Sequence, residues 1–362
     1  MVLLALWAER TRWGKPLGAA LLAIVFTAVI ANLGIIPSAS NSIPLYEGIF
    51  KYVAPLSIFY LMLGVHLKAI RQAGLPMIGL FVLGSFATVG GILIAWWLLQ
   101  PASVLGEKGS ILAGMLTGTY TGGSVNFNAI ALEYEFQKEG ALYAGTIAVD
   151  NVVTTLWIIA TLALPRMLRP LWKDRVRNSS TTTETVSQKK EGMDLLSMGV
   201  LLVLGLGAYL LSEGLSLLLP GLPSILIVTT LGIVLAQIPW VARLKGAHDL
   251  GLYMVFLFLA VIGAYCEIDA LLALKDLGGT LFLFTAMAVL IHGLLIIGLG
   301  GLMYRDWSMI AIASQANVGG GPTALALAET FGRKELMLPA ILVGTLGNAL
   351  GTYLGFLVIK LL

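Results

Sequence analysis

Apolar residues run in long blocks along this chain, and charged residues fall almost entirely between the blocks. Charge-poor stretches cover 17–36, 48–66, 76–99, 110–132, 141–164, 195–218, 222–240, 250–266, 279–303, 307–328 and 336–359. A helix needs roughly 20 mostly apolar residues to cross a bilayer, so each block is a candidate span. The weakest are 48–66, which holds Lys51, and the short 222–240. The pattern predicts an all-α polytopic membrane protein with about 10–12 transmembrane helices. Residues 1–7 are apolar, but Glu9, Arg10, Arg12 and Lys15 follow them. A signal peptide has the opposite charge order, so a short interfacial helix or the stub of a longer one is expected there.

Two blocks contain breaks. The first holds Thr121-Gly122-Gly123-Ser124-Val125-Asn126-Phe127-Asn128, and the second holds Gln315-Ala316-Asn317-Val318-Gly319-Gly320-Gly321-Pro322-Thr323. Breaking a helix inside a bilayer frees backbone N–H and C=O groups that lipid cannot satisfy, so the break must face protein, water or a solute. A matched pair of interrupted segments is the best sequence pointer to a transporter's binding site. Close helix packing is the alternative use of such glycines, but it does not call for the Thr, Ser, Asn and Gln gathered here.

The two breaks are related by an offset of 197 residues: Gly122 meets Gly319, Gly123 meets Gly320, Ala129 meets Ala326 and Ala131 meets Ala328. In the next block Asn151 meets Asn348 and Thr155 meets Thr352. The chain therefore reads as two repeats, 1–168 and 194–362, joined by a polar linker over 169–193. That linker carries Arg169, Lys173, Arg175, Arg177, Lys189 and Lys190, which places it in the cytoplasm by the positive-inside rule. Eleven complete spans would then put the amino terminus outside, together with Arg10, Arg12, Lys15, Lys68 and Arg71, against the same rule. Five blocks also lie between the breaks. Both broken helices would then point the same way, whereas an inverted repeat needs an even number between them, so either one block, 222–240 first, does not span or a further span is missing from the count.

Composition sharpens the class. The chain has 362 residues, 58% of them hydrophobic and 11% charged, with mean hydropathy +0.92, where soluble domains carry about 25% charged residues. The net charge of +3 comes from loops and does not suggest nucleic acid. The lone Cys266 excludes an internal disulfide and a cysteine metal site, and reads as a small buried apolar residue. Neither a phosphate-binding loop nor a protease or hydrolase motif is present, so an enzyme or an ATP-driven pump is not expected and energy would come from an ion gradient.

At each break, the carboxyl end of the first half-helix offers carbonyls and partial negative charge, and the amino end of the second offers N–H groups and partial positive charge. Carbonyls suit a cation; N–H groups suit a carboxylate. Asp150 is the one acidic residue deep inside a span of the first half, and an intramembrane carboxylate commonly marks an ion or proton path; Thr146 or Thr154 could instead satisfy it structurally. Asn151 and Thr155 share its neighbourhood. Glu267, Asp269 and Glu213 lie near span ends, and His292 sits within an apolar span as a hydrogen-bonded packing residue. Trp96, Trp97, Trp172, Trp240 and Trp307 read as an interfacial belt.

The runs GTYTGGSVNFNAIALE and SQANVGGGPTALALAE, each followed by a span with Asn and Thr, resemble those of the DUF819 membrane family over nearly the whole chain. More distantly, the layout resembles the cation/proton antiporter and anion transporter clan, which includes bile acid:sodium symporters. That resemblance implies two inverted repeats, each with a broken crossover helix, in a core that moves against a panel to give alternating access. Gly122, Gly123, Ser124 and Asn126 resemble the Gly-Gly-Thr-type break that ligates sodium in the bile acid symporters. Gln315, Asn317 and Thr323 lie where the second break supplies ligands. Asp150-Asn151 resembles the acidic pair of sodium/proton antiporters, with Asn at the second position. The glutamate that bile acid symporters carry beside the second break is absent.

The expected function is secondary active transport: Na⁺- or H⁺-coupled symport of a small organic anion across a bacterial inner membrane or its equivalent. The alternatives are a cation/proton antiporter without organic substrate, a channel and a membrane scaffold. Cation ligands would come from Thr121, Asn126, Asp150, Asn151, Gln315 and Asn317, with Na⁺ assigned to Asn126, Asp150 and Gln315. The substrate site would comprise Gly122, Gly123, Ser124, Asn128, Gly319, Gly320, Gly321, Thr323 and Asn348. No cofactor beyond the coupling ion is expected, the partners are the organic anion and the lipid bilayer, and a homodimer is compatible with the chain.

Overall fold

The computed structural model describes residues 1–12, 14, 18–174, 194–219, 222–266 and 275–362. Most of the linker, and the sequence positions Lys15, Glu267 and Asp269, lie outside the described residues. The described chain is built from α-helices: α1 (Val2–Glu9), α2 (Gly18–Asn32), α3 (Pro44–Met62), α4 (Leu75–Leu99), α5 (Lys108–Gly122), α6 (Ser124–Glu133) and α7 (Gly140–Leu168), then α8 (Leu195–Leu218), α9 (Ser224–Ala236), α10 (Ala247–Ala264), α11 (Lys275–Met303), α12 (Trp307–Val318), α13 (Gly320–Thr330) and α14 (Met337–Leu361). Six of them are long and apolar enough to cross a membrane. A seventh candidate is α3 together with the turn Leu67–Ala73, bent by 46°. The shorter apolar helices are α2 and α9. This is a multi-pass membrane protein.

Local chemistry sets the helix ends. Asp194 caps α8, accepting hydrogen bonds from Ser197 N (2.8 Å) and Ser197 Oγ (2.7 Å); these bonds favour the carboxylate and hold its pKa below the usual value. Asp306 caps α12 through Met309 N at 3.0 Å. Lys51 is exposed in a π-helical turn (Ile49–Val53) near the start of α3, so a charge in the weakest block is carried without entering the core.

The chain divides into two compact units that interleave along the sequence. The first comprises Met1–Gly64, Ala131–Asn151 and Gly192–Phe282; the second comprises Val65–Ile130, Val152–Glu191 and Leu283–Leu362. Each unit draws on both halves of the sequence, so packing units and sequence halves do not coincide.

In the first unit α3 is the hub. Gly251 of α10 lies against Ser57 and Leu61, and Gly232 of α9 lies against Phe59 and Met62. Tyr60 Oη donates to Leu201 O of α8 at 3.1 Å. Cys266 is buried, with its thiol directed at Gly140 O (2.9 Å); it is the small interior residue that its isolation implies. α1 packs on α2 through Ala5, Ala8, Leu22 and Ala23.

In the second unit the core is α14 with the two interrupted segments. On α5, Gly114, Gly118 and Gly122 face Gly355, Gly351 and Gly347 of α14, so closely that a Cβ at most of these positions would overlap the opposite backbone. Two glycine rows at four-residue spacing let two backbones touch, the small-residue packing common inside membranes.

Candidate functional site

Both predicted breaks are present, at the residues that the offset pairs. Gly123 has φ +111° and Gly320 has φ +79°, a region that side chains with a Cβ avoid. Each break reverses the chain. α5 runs antiparallel to α14, since residues 114, 118 and 122 meet 355, 351 and 347. α6 runs parallel to α14: Asn126 reaches Gly347 O and Thr352, and Ile130 lies against Gly355. α5 and α6 are therefore the two arms of a helical hairpin, and Gly118 of one arm abuts Asn126 and Ile130 of the other.

The second hairpin, α12–α13, approaches from the other end of α14. Gly321 packs on Ile341 and Gly344. Its open end is clamped by Arg333, which donates to Asp306 Oδ1 at 3.0 Å and Asp306 Oδ2 at 2.9 Å and also pairs with Glu335. Burial works against the guanidinium charge, but the hydrogen bonds and charges of Asp306 and Glu335 outweigh it, and the Arg333 pKa is raised. The two tips thus meet the middle of one helix, α14, at Gly344 and Gly347. We expect Arg333→Ala to lower stability by roughly 1–2 kcal/mol, a charge-assisted bidentate contact discounted for partial exposure. A double-mutant cycle with Asp306→Asn, read by thermal melting in detergent, checks whether that loss belongs to the pair.

Three of the carbonyls freed at the tips have donors among the described residues. Tyr120 O accepts from Thr88 Oγ1 of α4 at 2.8 Å, and Thr121 O lies 3.5 Å from Asn317 Nδ2 of the other hairpin. Gly320 O accepts from Thr323 Oγ1 at 3.0 Å. Pro322 sits in the first turn of α13, where its missing N–H has no intrahelical partner to lose.

The predicted ligands occupy different layers. Asn126, Gln315 and Asn317 are fully buried. Asn126 Oδ1 accepts from Thr352 N (3.1 Å) and Thr352 Oγ1 (2.8 Å), while Asn126 Nδ2 donates to Gly347 O (3.2 Å). Gln315 Oε1 accepts from Thr161 Oγ1 at 3.2 Å and Gln315 Nε2 donates to Thr323 Oγ1 at 3.1 Å. Those two side chains hold the hairpins in place. Asn317 differs. Its Nδ2 donates to Ser85 Oγ (3.0 Å) and Phe81 O (3.3 Å), but its Oδ1 has no partner among the described residues. Thr121 Oγ1 is used within its own helix, on Thr117 O. Asn128 is buried on α6. The more accessible layer holds exposed Ser124 and half-buried Gly123, Gly319, Thr323 and Asn348. Asp150 and Asn151 are half-buried on α7, in the part belonging to the first unit.

His292 organises the second unit beyond what its sequence context suggests. Its Nδ1 is 3.0 Å from Thr88 Oγ1 and its Nε2 is 2.9 Å from Ser314 Oγ. Thr88 already donates to Tyr120 O, so Thr88 Oγ1 accepts and Nδ1 carries the proton. Ser314 Oγ accepts from Trp157 Nε1 at 3.1 Å, which leaves its hydroxyl hydrogen for His292 Nε2. One neutral imidazole thereby joins α4, α11 and α12, with α7 attached through Trp157. No sequence signal marks this; Thr88, Trp157, His292 and Ser314 are far apart along the chain.

With this geometry in view, the comparisons decide the family. The model of a family described as "Protein of unknown function (DUF819)" matches residues 1–362. The chain belongs to the DUF819 family. It is 28% identical over 382 residues to the uncharacterized membrane protein YjcL of Bacillus subtilis (strain 168), covering 97% of this chain and 93% of that one. The full-length match means that both hairpins and all the spans lie within the family's common extent.

Proposed function

We propose that this DUF819 protein is a secondary active transporter that carries a small organic anion with Na⁺ or H⁺. The observation that carries the reading is the pair of hairpins whose tips meet α14 from opposite ends, at Gly344 and Gly347. Interrupted helices of this kind place backbone N–H groups and carbonyls at mid-membrane, where they can meet an anion and a cation respectively. The unpartnered Asn317 Oδ1 adds a neutral oxygen beside Thr121 O, and the accessible Ser124, Thr323 and Asn348 supply hydroxyl and amide groups for a carboxylate. In this reading Asn126 and Gln315 serve as struts, and the cation is held by Asn317 and backbone carbonyls, with Asp150 coupling its binding to that of the anion.

The test is a melting screen of the purified protein against organic acids, with and without Na⁺ and at two pH values. A ligand held only by the folded state at a hundredfold excess over Kd stabilises by about 2.7 kcal/mol. The expected result is a shift by at least one acid that depends on Na⁺ or on pH. Uptake into proteoliposomes by the Asp150→Asn variant then checks the coupling: ion-dependent uptake is expected to be lost, and full retention would remove Asp150 from the scheme.

A further inference from the structure

The first unit contains a polar cavity of its own, about 440 Å³ in volume, and none of its lining residues belongs to the hairpin tips. It forms where element ends converge. Glu133 closes α6, Gln137 precedes α7, Glu213 lies near the end of α8, Ile225 opens α9, Phe50 comes from α3 and Tyr265 follows α10.

Its chemistry has a definite sign. Gln137 is only 4% exposed, yet its Oε1 has no hydrogen-bond partner among the described residues. A buried carbonyl oxygen left unpaired is destabilising, so the site lacks a donor. The Glu133 carboxylate accepts the backbone N–H of Ile225 and stands close enough to Glu213 for their charges to repel. Lys138 is neutralised by Glu135 at 2.7 Å. Lys51 alone then opposes Glu47, Glu133 and Glu213 on the lining, which leaves a net charge of −2. Phe50 and Tyr265 meet edge to face (5.5 Å, 76°), and Tyr209 adds a third ring. Aromatic rings beside carboxylates attract organic cations. Among the described residues no group of three or more His, Cys, Asp and Glu could hold a metal ion, so a bare divalent cation lacks a cage.

We propose that this cavity binds a small alkylammonium ion, best a diamine, with one ammonium group between Glu133 and Glu213 and an N–H donated to Gln137 Oε1. The negative charge supplies the attraction, the orphan oxygen supplies direction, and the rings cover the alkyl chain. None of the residues of this site belongs to the hairpin tips, and its existence does not depend on what those tips bind.

Titration calorimetry of the detergent-solubilised full chain with 1,4-diaminobutane tests this. The expected result is saturable binding that weakens about tenfold or more in Glu133→Gln and in Gln137→Leu, since each loses one charge-assisted or buried hydrogen bond. Glu213→Gln, on the exposed rim, provides a third variant that leaves the buried lining unchanged and is expected to weaken binding as well. Asn317→Ala, in the second unit, is expected to bind the diamine as the unaltered protein does, which separates this result from the fate of the transport reading. Absence of saturable binding by folded protein overturns the proposal. So does equal affinity in the Glu133→Gln and Gln137→Leu variants, or displacement of the diamine by Ca²⁺ or by succinate at equal concentration.

Discussion

Gly347→Val is expected to yield little folded protein, and what is recovered to melt far below the unaltered chain. Gly347 has Thr121 O and the Gly122 Cα against the position a Cβ would take, with Phe81 behind them. None of these can move cheaply: two are backbone atoms of the first hairpin, and Phe81 is fully buried. Overpacking a well-filled core with one or two carbons commonly costs about 1–3 kcal/mol. Backbone-on-backbone contact sits at the upper end or beyond, because relief requires separating α5 from α14 along the whole glycine row. Fluorescence-detected size exclusion and melting of Gly347→Ala and Gly347→Val check it. The alanine variant is expected to be intermediate; a valine variant with unaltered melting would mean that the two helices are not held this closely. Gly145 is the control, since nothing stands within 4 Å of its Cβ position and its substitution is expected to be near neutral.

How much of this was legible in the sequence varies by residue type. Gly123 and Gly320 were readable because a positive φ is a local demand, and the 197-residue offset marked them twice. Cys266 was readable because an isolated small residue in an apolar block has few other uses. The row Gly114, Gly118, Gly122 was equally visible at its spacing, but its partner row lies more than two hundred positions away, and only the fold pairs them. The same limit hid the His292 junction. The packing roles of Asn126 and Gln315 were hidden for another reason: a buried amide looks identical in sequence whether its atoms face a solute or other helices. In the structure three hydrogen bonds occupy both polar atoms of the Asn126 side chain.

The hairpins also remove a conflict within the sequence. A helix that crosses the membrane changes sides, whereas a hairpin returns the chain to the side it came from. Among the described residues five helices separate the hairpins, α7 to α11. With an odd number of spans between them, two hairpins enter from opposite sides, as their approach to the two ends of α14 requires. The positive-inside rule then falls into line. With Arg166 and Arg169 at the end of α7 inside, and α2 and α9 counted as spans, Arg10, Arg12, Lys68, Arg71, Arg243, Lys245, Arg305, Arg333 and Lys334 are also inside, while Lys51, Lys108, Lys138, Lys275 and Lys360 are outside. The amino terminus moves to the inside and the carboxyl terminus to the outside, the reverse of the count with eleven crossings.

Asn126→Ala is expected to cost more than any other side-chain truncation at the hairpins, about 2–3 kcal/mol. The substitution removes three hydrogen bonds that tie α6 to α14, while Thr352 N–H and Gly347 C=O, inside α14, keep their own helical partners. A net hydrogen bond is worth about 0.5–1.5 kcal/mol, and Thr352 is itself only 1% exposed, so water cannot take the place of the amide. Asn126→Asp separates this role from ion binding. A carboxylate can still accept from Thr352 N and Oγ1 but cannot donate to Gly347 O, and it adds a charge with no cationic partner in the hydrogen-bond set. If Asn126 is a strut, both variants melt early, with or without Na⁺. If instead it ligates the coupling ion, Asn126→Asp keeps its stability in Na⁺ and loses it when Na⁺ is replaced by a larger cation. Melting curves of the three proteins in the two salts distinguish these outcomes, and the geometry commits to the first.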